Sequence, residues 1–283
     1  MSARVLILGS SGQVGRHLCQ RLPHALAWGR ADLDLCQLAD IEPAVRAAAP
    51  DWVINASAYT KVDAAEEEIA LAYQTNANAV AELASVCQAI GSGLVHYSTD
   101  YVFDGNKAEP YNALDKTRPS SVYGRSKLLG EQAIASNMDR FWIFRTSWVF
   151  SEYAPNFLKT MLRLARERAE IGVVNDQWGK PTYAGELARV AMELVQDERA
   201  IEPGIHNIAC PEATTWHGFA QAIFATATER LSNFDAPLLQ AIPTSSYPTP
   251  AQRPTNSVLA VDTIEGIRPW RDFLARCVDS SAG

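Results

Sequence analysis

The stretch RVLILGSSGQVG, residues 4–15, runs from an apolar pentad whose core is VLIL straight into glycines at positions 9, 12 and 15 and then into helix-forming residues. A short buried strand followed by Gly-x-x-Gly-x-x-Gly and a helix lets the chain turn tightly. It also points free backbone N–H groups and the positive end of a helix at an approaching pyrophosphate. A Gly-rich turn without a ligand is the bland alternative. The position directly after a strand favours a nucleotide-binding turn, with Gly9, Gly12 and Gly15 as its cofactor-binding residues.

Working outward, the same alternation repeats. Apolar runs at 25–28, 51–55, 93–98 and 141–146 read as strands, and helical patterns fall at 13–22, 39–48, 74–90 and 121–137. This order of βαβ units predicts an α/β fold, a doubly wound parallel Rossmann-type sheet with ligands at the carboxyl ends of its strands. Beyond residue 146 the pattern loosens: helices at 156–168, 185–196 and 215–228, strands at 170–176 and 204–209, then Pro- and Thr-rich loops near 242–256. The expected organisation is a dinucleotide-binding domain over 1–146, rejoined by a segment near 183–200. Residues 147–283 form mainly a smaller C-terminal α/β substrate lobe.

The 283 residues are 47% hydrophobic and 20% charged, with a net charge of -7. That balance suits a globular chain with a full core and disfavours nucleic acid or an anionic membrane as partner. Five scattered cysteines without a Cys-x-x-Cys pair suggest neither disulfides nor zinc, and a reducing cytoplasmic setting. No segment reads as a membrane span.

The second strand ends in Trp-Gly-Arg where an acidic ribose-binding residue would be ordinary; Arg30 there favours the 2'-phosphate of NADP. Asp34 and Leu35 follow at the adenine end, although Asp34 also suits a solvated turn. INASAYT, residues 54–60, ends the third strand with small residues against which a cofactor can lie, or which simply allow close packing. VHYSTDYVFDG, residues 95–105, ends the fourth with hydroxyls and a carboxylate, and Thr99, or Ser98 beside it, can polarise a carbonyl oxygen. VYGRSKLLGE, residues 122–131, then sets Tyr123 and Lys127 four apart on a helix. Alone, Tyr-x-x-x-Lys would occur by chance in about one such chain in five. Beside the glycine turn and Ser-Thr-Asp it reads as a proton donor with a cation to tune it, the ammonium lowering the phenol pKa.

Together these motifs resemble the extended short-chain dehydrogenase/reductase superfamily and, within it, the dTDP-4-dehydrorhamnose reductases. The resemblance extends through NASAYTKVDAAE, FRTSWVF, NFLKTMLRLA, NDQWGKPT and YPTPAQRPTNS over nearly the whole chain. It implies an oxidoreductase of nucleotide-sugar and polysaccharide biosynthesis that uses NADPH or NADH to reduce the C4 keto group of a nucleotide-linked 4-keto-6-deoxyhexose. Thr99, Tyr123 and Lys127 would be catalytic. Gly12, Gln13 and Val14 would contact the pyrophosphate, Ala58, Tyr59, Thr60 and Tyr97 would line the cofactor, with Tyr123 and Lys127 also touching it, and Asp100 would lie by the sugar. Trp148 would pack on the sugar, or plug the seam between lobes, and Arg253 would hold the diphosphate. Some relatives bind Mg2+ at a subunit contact; no ligand cluster is legible here, and a homodimer stays open. Ser57, Lys61 and Ala64 depart from the family pattern.

Other members of the superfamily provide alternatives. A 4,6-dehydratase would carry a second carboxylate after the Asp, where this chain has Tyr101. An epimerase would carry an acid at the end of strand two. Another nucleotide-sugar 4-ketoreductase, or a non-catalytic regulatory subunit of the same fold, keeps much of the pattern.

Overall fold

The computed structural model describes residues 3–261, 264 and 266–281. Its centre is a six-stranded parallel sheet: β1 (Val5–Leu8), β2 (Leu26–Trp28), β3 (Trp52–Asn55), β4 (Gly93–Thr99), β5 (Phe141–Thr146) and an edge strand, Gly204–Asn207. The spatial order is edge strand, β5, β4, β3, β1, β2. Every residue of β1, β3 and β4 is buried, as a sheet covered on both faces requires.

Helices cover both faces. On one, α2 (Leu38–Ala48), α4 (Ala79–Ile90) and α5 (Val122–Asn137) enclose a core of Leu6, Ile41, Val53, Leu83, Leu94 and Ile143. On the other, α1 (Gln13–Arg21) lies beside α7 (Ala184–Gln196) over Ile7, Trp52, Val95 and Trp142. The chain steps from β1 out to β2 and returns on the opposite side at β3, so the order reverses between β1 and β3 and a crevice opens at their carboxyl ends.

A second apolar cluster around Phe150, Leu162, Phe219 and Trp270 is built by α6 (Phe157–Glu167), α8 (Trp216–Arg230) and α9 (Leu274–Asp279). Two parallel strands, Glu170–Val174 and Leu238–Ile242, pair beside it.

Four elements differ from the sequence reading. The helix expected at 74–90 begins earlier, as α3 (Ile69–Tyr73), and passes through a π-turn at Gln74–Asn78 into α4. The strand at 204, grouped by sequence with the later lobe, is the sixth strand of the main sheet, bonded to β5. Strand Leu238–Ile242 and helix α9 have no counterpart in the sequence reading: no residue of the strand is fully buried, and six residues are too few for the Leu274, Cys277 and Val278 stripe of α9 to stand out.

Candidate active site

Three loops at the carboxyl ends of β1, β2 and β3 enclose a cavity of about 220 Å³. Gly9 and Gly12 form one wall, Arg30, Asp34 and Leu35 another, and Ala56, Ser57 and Ala58 a third; Ser11, Leu33, Cys36 and Thr75 complete it. Gly9 has φ +79°, and a Cβ there would lie 2.8 Å from the Ala56 carbonyl. A Cβ on Gly15 would lie 2.0 Å from the Gly9 oxygen. The turn is therefore drawn tight onto both α1 and the β3 loop, a cradle that side chains would fill. It fits a dinucleotide: backbone N–H groups at the start of α1, small residues beneath, and one cation at the rim. Arg30 is that cation, largely exposed, its Nε 4.0 Å from the Asp34 carboxylate. Asp34 also caps its own turn by accepting from the Cys36 N–H.

Helix α5 presents the Tyr-Lys pair. Ser121 caps it by accepting from the Gly124 N–H at 3.1 Å, and Glu66 accepts from the Val122 N–H at 2.8 Å. Asn76, in the π-turn, donates to the Ser126 hydroxyl and to the Tyr59 carbonyl and accepts from the Tyr59 N–H. One side chain thus ties α5 to the loop after β3. Sequence reasoning missed Asn76, Glu66 and Thr75; an Asn inside an apolar helix was the available signal for the first.

Thr99 and Tyr123 share the cleft at the end of β4. The Thr99 hydroxyl donates to the Asp100 carboxylate at 3.1 Å and accepts from the Tyr101 N–H. Ser98, the other hydroxyl considered, donates instead to Glu131, which Arg145 also grips. The two candidates are thereby separated: Ser98 serves a buried ion pair, and Thr99 faces Tyr123.

The tuning expected of Lys127 takes another form. Burial pushes the Tyr123 phenol up to about 12, with a Thr99 hydrogen bond pulling down and the Asp100 charge adding to the rise. Lys127 is itself lowered to about 8 by burial, opposed by Glu131. Its ammonium nitrogen reaches the Tyr97 carbonyl at 2.7 Å and His96 at 3.1 Å. The lowered phenol read from Tyr-x-x-x-Lys is absent because the lysine is spent on β4. Burial also pushes Asp100 up to about 7, against hydrogen bonds from Ser257 and Thr99.

Other expected contacts are distributed differently. Gln13 donates to the Val149 carbonyl and accepts from Ser151 and Asn156, so its side chain is a strut to the segment after β5 rather than a phosphate ligand. Its backbone, with those of Val14 and Gly15, still opens α1. Tyr97 spends its hydroxyl on the Leu187 carbonyl of α7, leaving its own carbonyl toward Lys127. The Tyr59 hydroxyl donates to Glu68, and Thr60 is exposed. Trp148, at φ +48°, stacks on Trp216 with centroids 3.6 Å apart. That places it in the seam with one face covered. Arg253 clasps Asp63. Among the described residues no group of three or more His, Cys, Asp or Glu side chains is placed to hold a metal, and nothing supports Mg2+ here. No helix among them is long and apolar enough to cross a membrane.

A doubly wound sheet with a glycine cradle at its switch point and Thr, Tyr and Lys gathered at the end of β4 defines an extended short-chain dehydrogenase/reductase. The family described as RmlD substrate binding domain matches residues 3–282. A protein of Burkholderia thailandensis named dTDP-4-dehydrorhamnose reductase is 42% identical over 97% of this chain and 98% of its own. One of the same name from Aggregatibacter actinomycetemcomitans is 40% identical over 96% and 97%. The crystal structure of the Bacillus anthracis dTDP-4-dehydrorhamnose reductase in complex with NADP superposes with a TM-score of 0.90 at 32% identity, covering 98% of each chain. The chain belongs to the dTDP-4-dehydrorhamnose reductase family.

Proposed function

We propose that this enzyme reduces the C4 keto group of dTDP-4-dehydro-L-rhamnose to dTDP-L-rhamnose with NADPH, NADH serving less well. The observation that carries the reading is the meeting of Thr99 and Tyr123 at the end of β4, with Lys127 buried behind them and the glycine cradle alongside. End-to-end similarity to reductases of that name supports the substrate.

Bound NADPH supplies the hydride. The N–H groups of Gln13, Val14 and Gly15, in the first turn of α1, would hold its pyrophosphate, since those of Gly9, Ser10 and Gly12 are spent on backbone carbonyls, and Arg30 would hold its 2'-phosphate. The Thr99 and Tyr123 hydroxyls would converge on the keto oxygen: Thr99 would swing its one hydrogen from Asp100 to that oxygen, and the negative charge developing there would be met by both. A phenol held up at about 12 stays protonated at neutral pH, which suits a donor: its proton ends on the sugar oxygen, a far stronger base than phenolate. Lys127 holds Tyr97 and the catalytic helix in register and, when charged, stabilises the phenolate left behind. Asp100, raised to about 7 and so about half protonated near neutral pH, would take a sugar hydroxyl at less cost than a fully ionised buried carboxylate. Trp148 and Arg253 would border the sugar and its diphosphate. The Phe150–Trp270 cluster supports assigning most of residues 147–283 to the substrate side.

The test is product analysis after incubation with NADPH and dTDP-4-dehydro-L-rhamnose made in situ. Formation of dTDP-L-rhamnose in step with NADPH loss supports the reading. Absence of turnover in a preparation that binds NADPH would move the assignment to another sugar nucleotide or to a binding role.

A further inference from the structure

His96 stands three residues before Thr99 on β4, fully buried between Asn55 of β3 and Lys127 of α5. Asn55 Nδ2 is 3.1 Å from His96 Nδ1, and His96 Nε2 is 3.1 Å from Lys127 Nζ. The Ser57 backbone N–H donates to Asn55 Oδ1 at 3.0 Å, which turns the amide so that its NH2 group faces the ring. His96 Nδ1 must then accept, and the one proton of the neutral ring sits on Nε2, aimed at Lys127. Lys127 can answer only with a lone pair, while its own hydrogen goes to the Tyr97 carbonyl. An ammonium has no lone pair; in this arrangement two N–H donors would face each other in a buried site.

We propose that Asn55, His96 and Lys127 form one proton-coupled unit, in which His96 is a positioning residue that favours the neutral lysine and ties its charge to the loop at Ser57. Adding a proton to Lys127 obliges His96 to carry its hydrogen on Nδ1. Asn55 must then turn its carbonyl to the ring, releasing the Ser57 N–H. Ser57 lines the cofactor cavity, so the charge of the lysine and the shape of that wall are linked. The charged groups around Lys127 do not override this. Glu131, one turn along α5, favours the ammonium but is already bound by Arg145 of β5 and Ser98 of β4, and Tyr123, one turn back, is neutral. Burial and the nearby lysine hold His96 well below the usual imidazole range, so the ring shuttles between tautomers rather than charging.

The inference rests on Lys127 acting in turnover, and the experiment separates the two. The alkaline limb of kcat against pH is measured for the wild type, His96→Leu and Lys127→Met. Removing the donor should move the limb upward by about one pH unit, a tenfold change in the proton affinity of the lysine. An unmoved or lowered limb overturns the coupling. Full activity of Lys127→Met overturns the underlying role of the lysine. Should His96→Leu fail to fold, nitrogen-15 histidine spectra of the wild type decide. His96 should exchange its proton between Nε2 and Nδ1 in step with Lys127 titration, and a single tautomer across that range, or an imidazolium, overturns the proposal.

Discussion

Arg253 grips Asp63 from 190 residues away, Nη1 to Oδ1 at 2.9 Å and Nη2 to Oδ2 at 2.7 Å. The guanidinium beside it holds the Asp63 carboxyl below the usual carboxylate range. The clasp ties the Pro-rich loop to the segment after β3, where Asp63 also accepts from the Ala251 N–H. If the substrate diphosphate binds Arg253 as proposed, it would share the guanidinium with Asp63, which a planar five-donor fork permits. Arg253→Ala should therefore raise KM for the nucleotide sugar by about tenfold or more while kcat changes by less than about threefold. Steady-state kinetics check this; an unchanged KM removes Arg253 from the substrate.

Arg30 lies at the cavity rim with only a loose 4.0 Å approach to Asp34. Arg30→Ala should raise KM for NADPH by about tenfold and barely affect NADH, because only NADPH carries the extra phosphate. Equal effects on the two cofactors would place Arg30 elsewhere.

A Tyr123→Phe variant keeps the ring packed edge-on against Tyr101 and removes only the proton. Turnover should fall by about a hundredfold or more, the usual scale of general acid catalysis, with NADPH titrating as in the wild type. Turnover close to normal would remove Tyr123 as donor.

For Asp100 the carboxyl is raised by burial from 3.8 to about 7. The folded chain thus holds a proton the unfolded chain releases. That contribution to stability is complete below about pH 3.8 and is lost as pH rises through about 7. Asp100→Asn, neutral throughout, should raise Tm more at pH 8 than at pH 5. Thermal melts showing equal shifts at both would contradict the burial argument.

Gly15→Ala would place a methyl 2.0 Å from the Gly9 carbonyl oxygen. The turn would have to open, and NADPH affinity should fall by about tenfold or more as the aligned N–H groups separate. Isothermal titration showing wild-type affinity would mean the cradle does not hold the cofactor.

Much of this site was legible because its signals are local. The Gly9–Gly15 spacing follows a strand, and Tyr123 and Lys127 share one helical face. Long-range partners were not legible. Nothing in VHYSTD says that His96 meets both Asn55 and Lys127, since that depends on the register of β3 against β4 and on how α5 crosses them. The lowering of the Tyr123 phenol was misjudged for the same reason: residue spacing gives the lysine's face, but burial and the Tyr97 carbonyl decide where its nitrogen goes. Trp148 read first as a sugar platform, with a seam residue as the alternative, and its sequence context could not show that the Trp216 ring, 68 positions on, lies parallel to it at 10°. The strand at Gly204–Asn207 is short and only half-buried, so its sequence carries no mark of the sheet it joins.

The most direct test of the central claim uses NADPH deuterated at the transferable position of its nicotinamide, with dTDP-4-dehydro-L-rhamnose as acceptor. Reduction at the keto carbon predicts dTDP-L-rhamnose carrying deuterium at sugar C4, read by NMR of the isolated product. Deuterium at any other carbon, or product without it, would contradict the assignment.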